Sequence, residues 1–324
     1  MLYYDLLSED VDINEPVVLE IINSMDFKRL EGVDMAGYRP LWAKPGIENA
    51  QHYYSRYAHS IGVYLLLRRF NAPVEEQLAG LLHDISHSAF SHCIDYAIDE
   101  GSEDQQSYQD DIHEAFIIKT EIPSILSAYG YDLDYILNDK NFPLKEQALP
   151  NLCADRIEYS LRSAMVFNEI DRTQLKYVLN NLFVNNKKWV FKSADVAKFY
   201  AELFGRLNTV HFSGLPSAIM FRIMGDFIKH GLARNYISLN DLYKTDKEVL
   251  DQICINLNHD EKLQTIWLGM NNPMLITNNP QNFSTKVVCK SRAVDPLFID
   301  DGKLRLLSDS FAGWKNILTQ ELKP

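Results

Sequence analysis

The sequence predicts a mainly α-helical chain with a small α+β region at its C-terminal end. Two observations carry that expectation. From the start to about residue 265, apolar residues recur at spacings of three and four, the period of a helix face. Beyond about residue 270 that rhythm gives way to Pro, Asn and Asp-Gly punctuation between short alternating runs. Residues 1–270 are therefore expected to form one helical domain, with 271–324 a small hairpin and helix packed on it.

Taken in order, Val17-Val18-Leu19-Glu20-Ile21-Ile22 opens a short amphipathic helix. HSIGVYLLLRRF at 59–70 is apolar on nearly every side, which suits a buried helix. Asn71 and Pro73 break it, and Glu75 to Leu82 forms a second helix running into His83-Asp84. DEGSEDQQSYQDD at 99–111 is acidic and reads as a solvated loop. Segments 111–119, 145–166, 195–208 and 217–232 all show helical spacing. Ser238 is placed to cap a helix over Leu239 to Leu257. Pro273, Thr277, Asn278, Asn279 and Pro280 mark a loop, and Phe283 to Lys290 alternates like a strand. Leu297 to Ile299 and Leu304 to Leu307 flank Asp300-Asp301-Gly302, a hairpin turn, and Ser308 to Leu322 closes the chain as a helix.

The composition excludes several roles. A chain of 324 residues can bury a large core unaided, so a bound metal would serve chemistry and not folding. The formal net charge of -12 argues against duplex DNA or RNA as partner. No Lys/Arg run suggests a membrane anchor, and no apolar stretch reaches membrane-spanning length. Cys93, Cys153, Cys254 and Cys289 form no CxxC pair, and the acidic opening MLYYDLLSEDVDINEP lacks the build of a signal peptide. A reduced, cytoplasmic protein is expected.

Six of the nine histidines, His52, His59, His83, His87, His92 and His113, fall between positions 52 and 113. Residues 83–95 read HDISHSAFSHCID. Imidazoles and carboxylates at this density suit a divalent ion such as Mn, Fe, Zn, Co or Ni, and the carboxylates also suit Mg. Leaving so many imidazoles unpaired in a core would be costly.

Three motifs, RYAHSIGV at 56–63, LAGLLHDISHSAFSH at 78–92 and CADRIEYSLR at 153–162, together resemble in order the signatures of the HD-domain metal-dependent phosphohydrolases. The likeness is greatest to the branch that includes the dNTP triphosphohydrolases. FKRL at 27–30, SLNDLYKTDKEVLDQI at 238–253 and KSRAVDPLF at 290–298 echo further family segments. The resemblance implies an HD-type helical fold in which His59, His83, Asp84 and Asp155 hold one divalent ion, with His87 placed for phosphate or a second ion. Four such ligands leave coordination positions for water and a phosphate oxygen, the arrangement that makes water nucleophilic toward phosphorus. It also implies catalytic roles for His87, His92 and His113, with His92 as general acid oriented by Asp95. Arg56, Arg156 and Tyr159 would contact substrate. Relatives are commonly dimers or larger, so a homo-oligomer is implied as well.

Ser86 stands where the family usually has glycine, Ala89 where the triphosphohydrolase branch has proline, and Ser163 where that branch carries an acid. Where relatives supply a basic cluster beyond residue 200, LNTVHFSGLPSAIMFRI at 207–223 offers His211 and Arg222, with Arg206 just before it. The expected activity is hydrolysis of a phosphate ester or anhydride of a nucleotide, including triphosphate release from a dNTP. The alternatives are a phosphodiesterase or phosphomonoesterase acting on a cyclic nucleotide, an alarmone or a nucleoside monophosphate, and a vestigial nucleotide- or nucleic-acid-binding protein. A di-iron oxygenase, as in some HD relatives, is a fourth reading.

Overall fold

The computed structural model describes residues 1–38, 54–270, 279, 281–283 and 285–322. His52 and the loop residues Pro273, Thr277, Asn278 and Pro280 lie outside them.

The chain opens with an antiparallel hairpin, β1 (Leu2–Asp5) and β2 (Glu9–Asp12), in which Tyr3 faces Val11. Its strands are short and acidic, so alternation gave no sign of them. Helix α1 (Pro16–Asn23) starts on a proline and buries Val17, Val18, Ile21 and Ile22 on one face.

Helix α2 (Arg56–Arg69) is the centre of the body. The Ser55 hydroxyl caps it by accepting from the Ala58 amide at 3.2 Å. Every residue from His59 to Leu67 is buried, so neighbours surround it. On one side lies α3 (Val74–Leu82), which ends as the chain turns through His83 and Asp84. On another lies α4 (Ala154–Val166). Gly62 permits that approach, because a Cβ there would run into the Glu158 carboxylate and the Arg162 guanidinium.

Helix α5 (Arg172–Asn180) begins with a reciprocal cap between Asp171 and Gln174. Helix α6 (Ala194–Leu207) runs into a π-helical turn, Asn208–Phe212, before α7 (Leu215–Ala233). Helices α8 (Asp246–Cys254) and α9 (Glu261–Met270) pack beside α7, and α10 (Ala312–Glu321) lies near the end.

A four-stranded sheet has the order β3 (Leu182–Asn185), β4 (Lys188–Phe191), β5 (Leu297–Asp300), β6 (Lys303–Leu306). β4 and β5 pair in parallel, with Val190 opposite Leu297 and Phe191 opposite Phe298. The expected turn joins β5 to β6, and Asp301 and Gly302 both take positive φ, 46° and 74°. The C-terminal hairpin thus extends a ribbon formed within the helical portion.

Apolar side chains cluster in three groups. One includes Leu161, Trp189, Phe204 and Phe298, among α2, α4, α6 and the sheet. Another, with Ile21, Phe27, Ile61 and Leu81, joins α1, α2 and α3. The third, with Phe90, Phe227 and Ile253, joins residues 89–97 to α7 and α8.

The mainly α character and the small C-terminal α+β region agree with the sequence. Several boundaries differ. Residues 145–153 are loop, and helix begins only at Ala154. The expected helix over 239–257 is a 3-10 turn (Leu239–Tyr243) followed by α8, because Ser238 and Thr245 each cap their own start. Helix at 111–119 shortens to His113–Ile117. Within the expected strand 283–290, residues 285–290 form none. The 99–111 stretch is only partly solvated, since Gln106 and Gln109 are buried. No helix among the described residues is long and apolar enough to cross a membrane.

Candidate metal centre

His59 lies in the first turn of α2 with no exposed surface. Its Nδ1 bonds the carboxylate of Glu158, which is also fully buried and lies three residues beyond Asp155 on α4. A carboxylate only accepts, so the proton sits on Nδ1 and Nε2 points a lone pair the other way. His83 follows the end of α3. Its Nδ1 donates to the Gly80 carbonyl at 2.7 Å, so its Nε2 is likewise the free lone pair. The two Nε2 atoms face each other at 3.2 Å. Asp155 Oδ1 lies 3.0 Å from the first and 3.4 Å from the second.

Two lone pairs and an anionic oxygen at this range repel unless something positive lies among them. A proton is one answer. Burial alone would depress His59, but Glu158, Asp155 and Asp84 outweigh it and raise its pKa to about 9. A divalent ion is the better answer. Bonds of about 2.1 Å at octahedral or tetrahedral angles place adjacent ligand atoms about 3.0–3.4 Å apart, matching the separations here. The donor set therefore fits a metal, and each imidazole already has its other nitrogen bonded, as metal-binding histidines require. His59, His83 and Asp155 offer ligand atoms within 4.8 Å of one another.

Asp84 stands at the rim of that triad. Its Oδ1 is 3.5 Å from His83 Nε2 and its Oδ2 is 3.7 Å from His59 Nε2. Arg56 holds Oδ2 at 2.7 Å. Burial works against ionisation, yet Arg56, His83 and His87 keep the carboxyl well below its usual range. Each of the other Arg56 nitrogens also donates, Nε to Ser91 Oγ at 3.1 Å and Nη2 to the Met35 carbonyl at 2.7 Å. Phe90 and Ser91 both adopt positive φ, 64° and 42°, a strained pair beside the histidine-rich turns.

His87 is buried, with Nε2 3.3 Å from Asp84 Oδ1. Its ring meets that of His92 edge to face, centroids 5.2 Å apart. Burial and Arg56 hold both imidazoles below their ordinary pKa. His92 Nδ1 lies 3.7 Å from Asp95 Oδ2, beyond hydrogen-bond range. Both atoms, and His87 Nδ1, are buried with no hydrogen-bond partner among the described residues. His113 Nδ1 is 3.2 Å from Ser86 Oγ, whose hydroxyl donates to the Gln109 carbonyl at 2.9 Å. Ser86 must therefore accept, leaving His113 Nε2 as a lone pair. Burial, then Lys145 and His83, lower His113 to about 4.

Arg156 turns toward the loop before α4. It donates to the carbonyls of Gln147 and Asn151 at 3.2 and 2.6 Å, and lies 3.5 Å from Glu146. Tyr159 remains near the centre, its ring 6.5 Å from His59 and 5.5 Å from Phe212. The three cations expected at 206–222 are committed elsewhere. His211 stacks on Phe167 and reaches Glu169 at 3.1 Å, Arg206 also faces Glu169, and Arg222 pairs with Asp226 and Glu103.

The sequence reading missed the support behind His59. Glu158 is also bonded by Arg162, and Arg162 by Asp5 on β1, all three nearly without exposure. Asp5 in turn accepts from the Leu7 and Ser8 amides at 3.1 and 2.8 Å. An acid and a base four apart on an otherwise apolar helix face was the available signal.

With this geometry in place, comparison with known proteins is informative. The HD domain family model matches residues 56–142. The Bacillus subtilis protein YdhJ is 31% identical over 287 residues, covering 88% of this chain and 85% of that protein. The metal-dependent phosphohydrolase cns2 of Cordyceps militaris is 35% identical over 171 residues, and the matched region is 47% of its length. Among solved structures, a hypothetical protein from Aquifex aeolicus superposes with TM-score 0.71 at 18% identity, over 97% of this chain and 93% of its own. A phosphohydrolase from Bacteroides thetaiotaomicron gives TM-score 0.60 at 14% identity, over 96% and 94%. At such identities the superpositions show the fold alone. The matched HD segment spans the helices that carry His59 and His83, and the Bacillus relative aligns along most of both chains, so this chain belongs to the HD-domain superfamily.

Proposed function

We propose that the chain is a metal-dependent phosphohydrolase acting on a phosphate ester or anhydride of a nucleotide. The observation that carries this is the pair of Nε2 lone pairs facing each other at 3.2 Å beside Asp155. The names of the Cordyceps and Bacteroides proteins support the same reading.

His59, His83, Asp155 and Asp84 would hold a divalent ion, which would supply Lewis-acid polarisation of a phosphoryl oxygen and a lowered pKa for water. The chain's own groups do the rest. Glu158 and the Gly80 carbonyl fix the two imidazoles with Nε2 inward. Arg56 holds Asp84 ionised and oriented. His87 Nδ1 and His92 Nδ1 are each buried without a partner, the second facing Asp95, while His87 Nε2 faces Asp84; a leaving-group oxygen brought to a free nitrogen can take up or return a proton there. Burial and the Arg56 charge both disfavour the protonated form of either imidazole. Phosphate charge beside His92 raises its proton affinity, so substrate itself prepares the acid form. Tyr159 offers a ring face for the sugar.

Triphosphate release from a dNTP is one form of this reaction. A second reading, hydrolysis at a single phosphate, is favoured by one observation: Arg206, His211 and Arg222 already face carboxylates, leaving few cations for a triphosphate. The test is to load the purified chain separately with Mn, Fe, Zn, Mg, Co or Ni and resolve nucleotide products by chromatography. Triphosphate plus deoxynucleoside identifies the first form, and loss of one phosphate or ring opening identifies the second. Absence of turnover together with absence of bound metal overturns the enzymatic reading in favour of a vestigial binding protein.

A further inference from the structure

Arg156 commits its guanidinium to the Gln147 and Asn151 carbonyls and to Glu146, so a phosphohydrolase here needs another source of positive charge. The segment Cys289–Arg292 provides it. It is threaded between two supports. On one side, Lys290 Nζ donates to the Gln105 carbonyl at 2.8 Å, and Arg292 Nη2 donates to Gln106 Oε1 at 3.3 Å. That loop is tied to the histidine turns, because the Tyr108 amide donates to Asp95 at 3.2 Å. On the other side, Asn208 in the π-helical turn accepts from the Arg292 amide at 2.9 Å and donates to Ser291 Oγ at 3.0 Å. Cys289 Sγ donates to the Phe212 carbonyl at 3.3 Å, and the Phe212 ring packs on Tyr159, which faces His59.

Neither Lys290 nor Arg292 has a carboxylate within ion-pair distance among the described residues. Asp95 and Asp110 reach Lys290 only through longer-range attraction. Burial and the adjacent Arg292 pull the Lys290 ammonium below its ordinary value. Arg292 is also among the charges that depress His92 and Tyr159, so its field reaches the acid–base side of the centre. Two half-buried cations held side by side on backbone and amide oxygens are short of negative charge.

We infer that Lys290 and Arg292 form an anion subsite that binds phosphate oxygens of the substrate, supplying the positive charge that Arg156 does not. This rests on the phosphohydrolase reading above. Two otherwise unpaired cations match the charge of one phosphate dianion, so the subsite is built for one phosphoryl group.

The test uses the metal-loaded full chain, with inorganic phosphate as the binding probe and the best nucleotide substrate as the kinetic one. In Lys290→Ala and Arg292→Ala, phosphate affinity is expected to fall and KM to rise by about tenfold or more, with kcat changed far less and metal content unaltered. Because the Arg292 side chain also ties the segment to Gln106, Arg292→Lys serves as companion, keeping the charge and recovering part of the affinity. Unchanged KM and phosphate binding in both Lys290→Ala and Arg292→Ala, with the parent protein turning over, overturns the subsite. A parent that binds metal yet neither binds phosphate nor turns over nucleotide overturns the phosphohydrolase reading instead.

Discussion

Glu158 on α4 bonds Nδ1 of His59 on α2, and that one contact decides which imidazole nitrogen faces the metal centre. Replacing Glu158 with Gln weakens the imidazole's basicity and its orientation. Metal affinity is expected to fall about 10–100-fold, read by chelator competition. An unaltered dissociation constant would show that the orientation of His59 does not depend on Glu158.

His83→Ala removes one of the two inward-facing nitrogens, and Asp84→Ala removes the carboxylate at the rim. Each variant is expected to lose turnover and most bound metal while keeping its far-ultraviolet circular dichroism. Elemental analysis of the purified variants checks this, and retained turnover in either removes that residue from the ligand set.

Arg56 was expected from the sequence to meet substrate phosphate, yet its three bonding nitrogens are taken by Asp84, Ser91 and Met35. Arg56→Ala leaves Asp84 as a buried charge without its partner. In metal-free protein the loss of stability is expected to be about 3–5 kcal/mol, and smaller once a divalent ion shares the Asp84 charge. Urea unfolding with and without metal tests it. Equal destabilisation in both states would mean that Asp84 is not near the ion.

His113 yields a pH dependence. Its folded pKa, about 4, lies below the ordinary 6.5. The folded chain therefore binds fewer protons than the unfolded chain between these values. The stabilisation is complete above about pH 6.5 and is lost as pH falls toward 4. His113→Gln should flatten the acid limb of the stability profile by about 1–3 kcal/mol relative to the parent. Parallel profiles for the two proteins would place His113 in solvent.

How much of this was legible beforehand depended on range. The convergence of His59, His83 and Asp155 was readable because each motif is local and sits at or beside the end of a helix. The bond from Glu158 to His59 spans 99 positions, and Arg162 to Asp5 spans 157. No local pattern encodes such pairings. The orientation of Arg156 was equally hidden, because it depends on carbonyls that the loop 147–151 happens to present. Strands β1 to β4 were missed because runs of four residues fall below what alternation can signal. Lys290 and Arg292 were visible as letters, but their neighbours are set by a turn and a loop from elsewhere in the chain.

The parallel pairing of β4 with β5 has a consequence during synthesis. When Lys188–Phe191 leaves the ribosome, its partner Leu297–Asp300 has yet to be made. At about 5–20 residues per second the intervening stretch takes on the order of ten seconds to synthesise. Throughout that interval β4 is an open edge bearing Val190 and Phe191, a template for another nascent chain. A chain cut short before β5 keeps that edge for good, so truncations that remove Leu297 and everything after it should aggregate more than the full sequence.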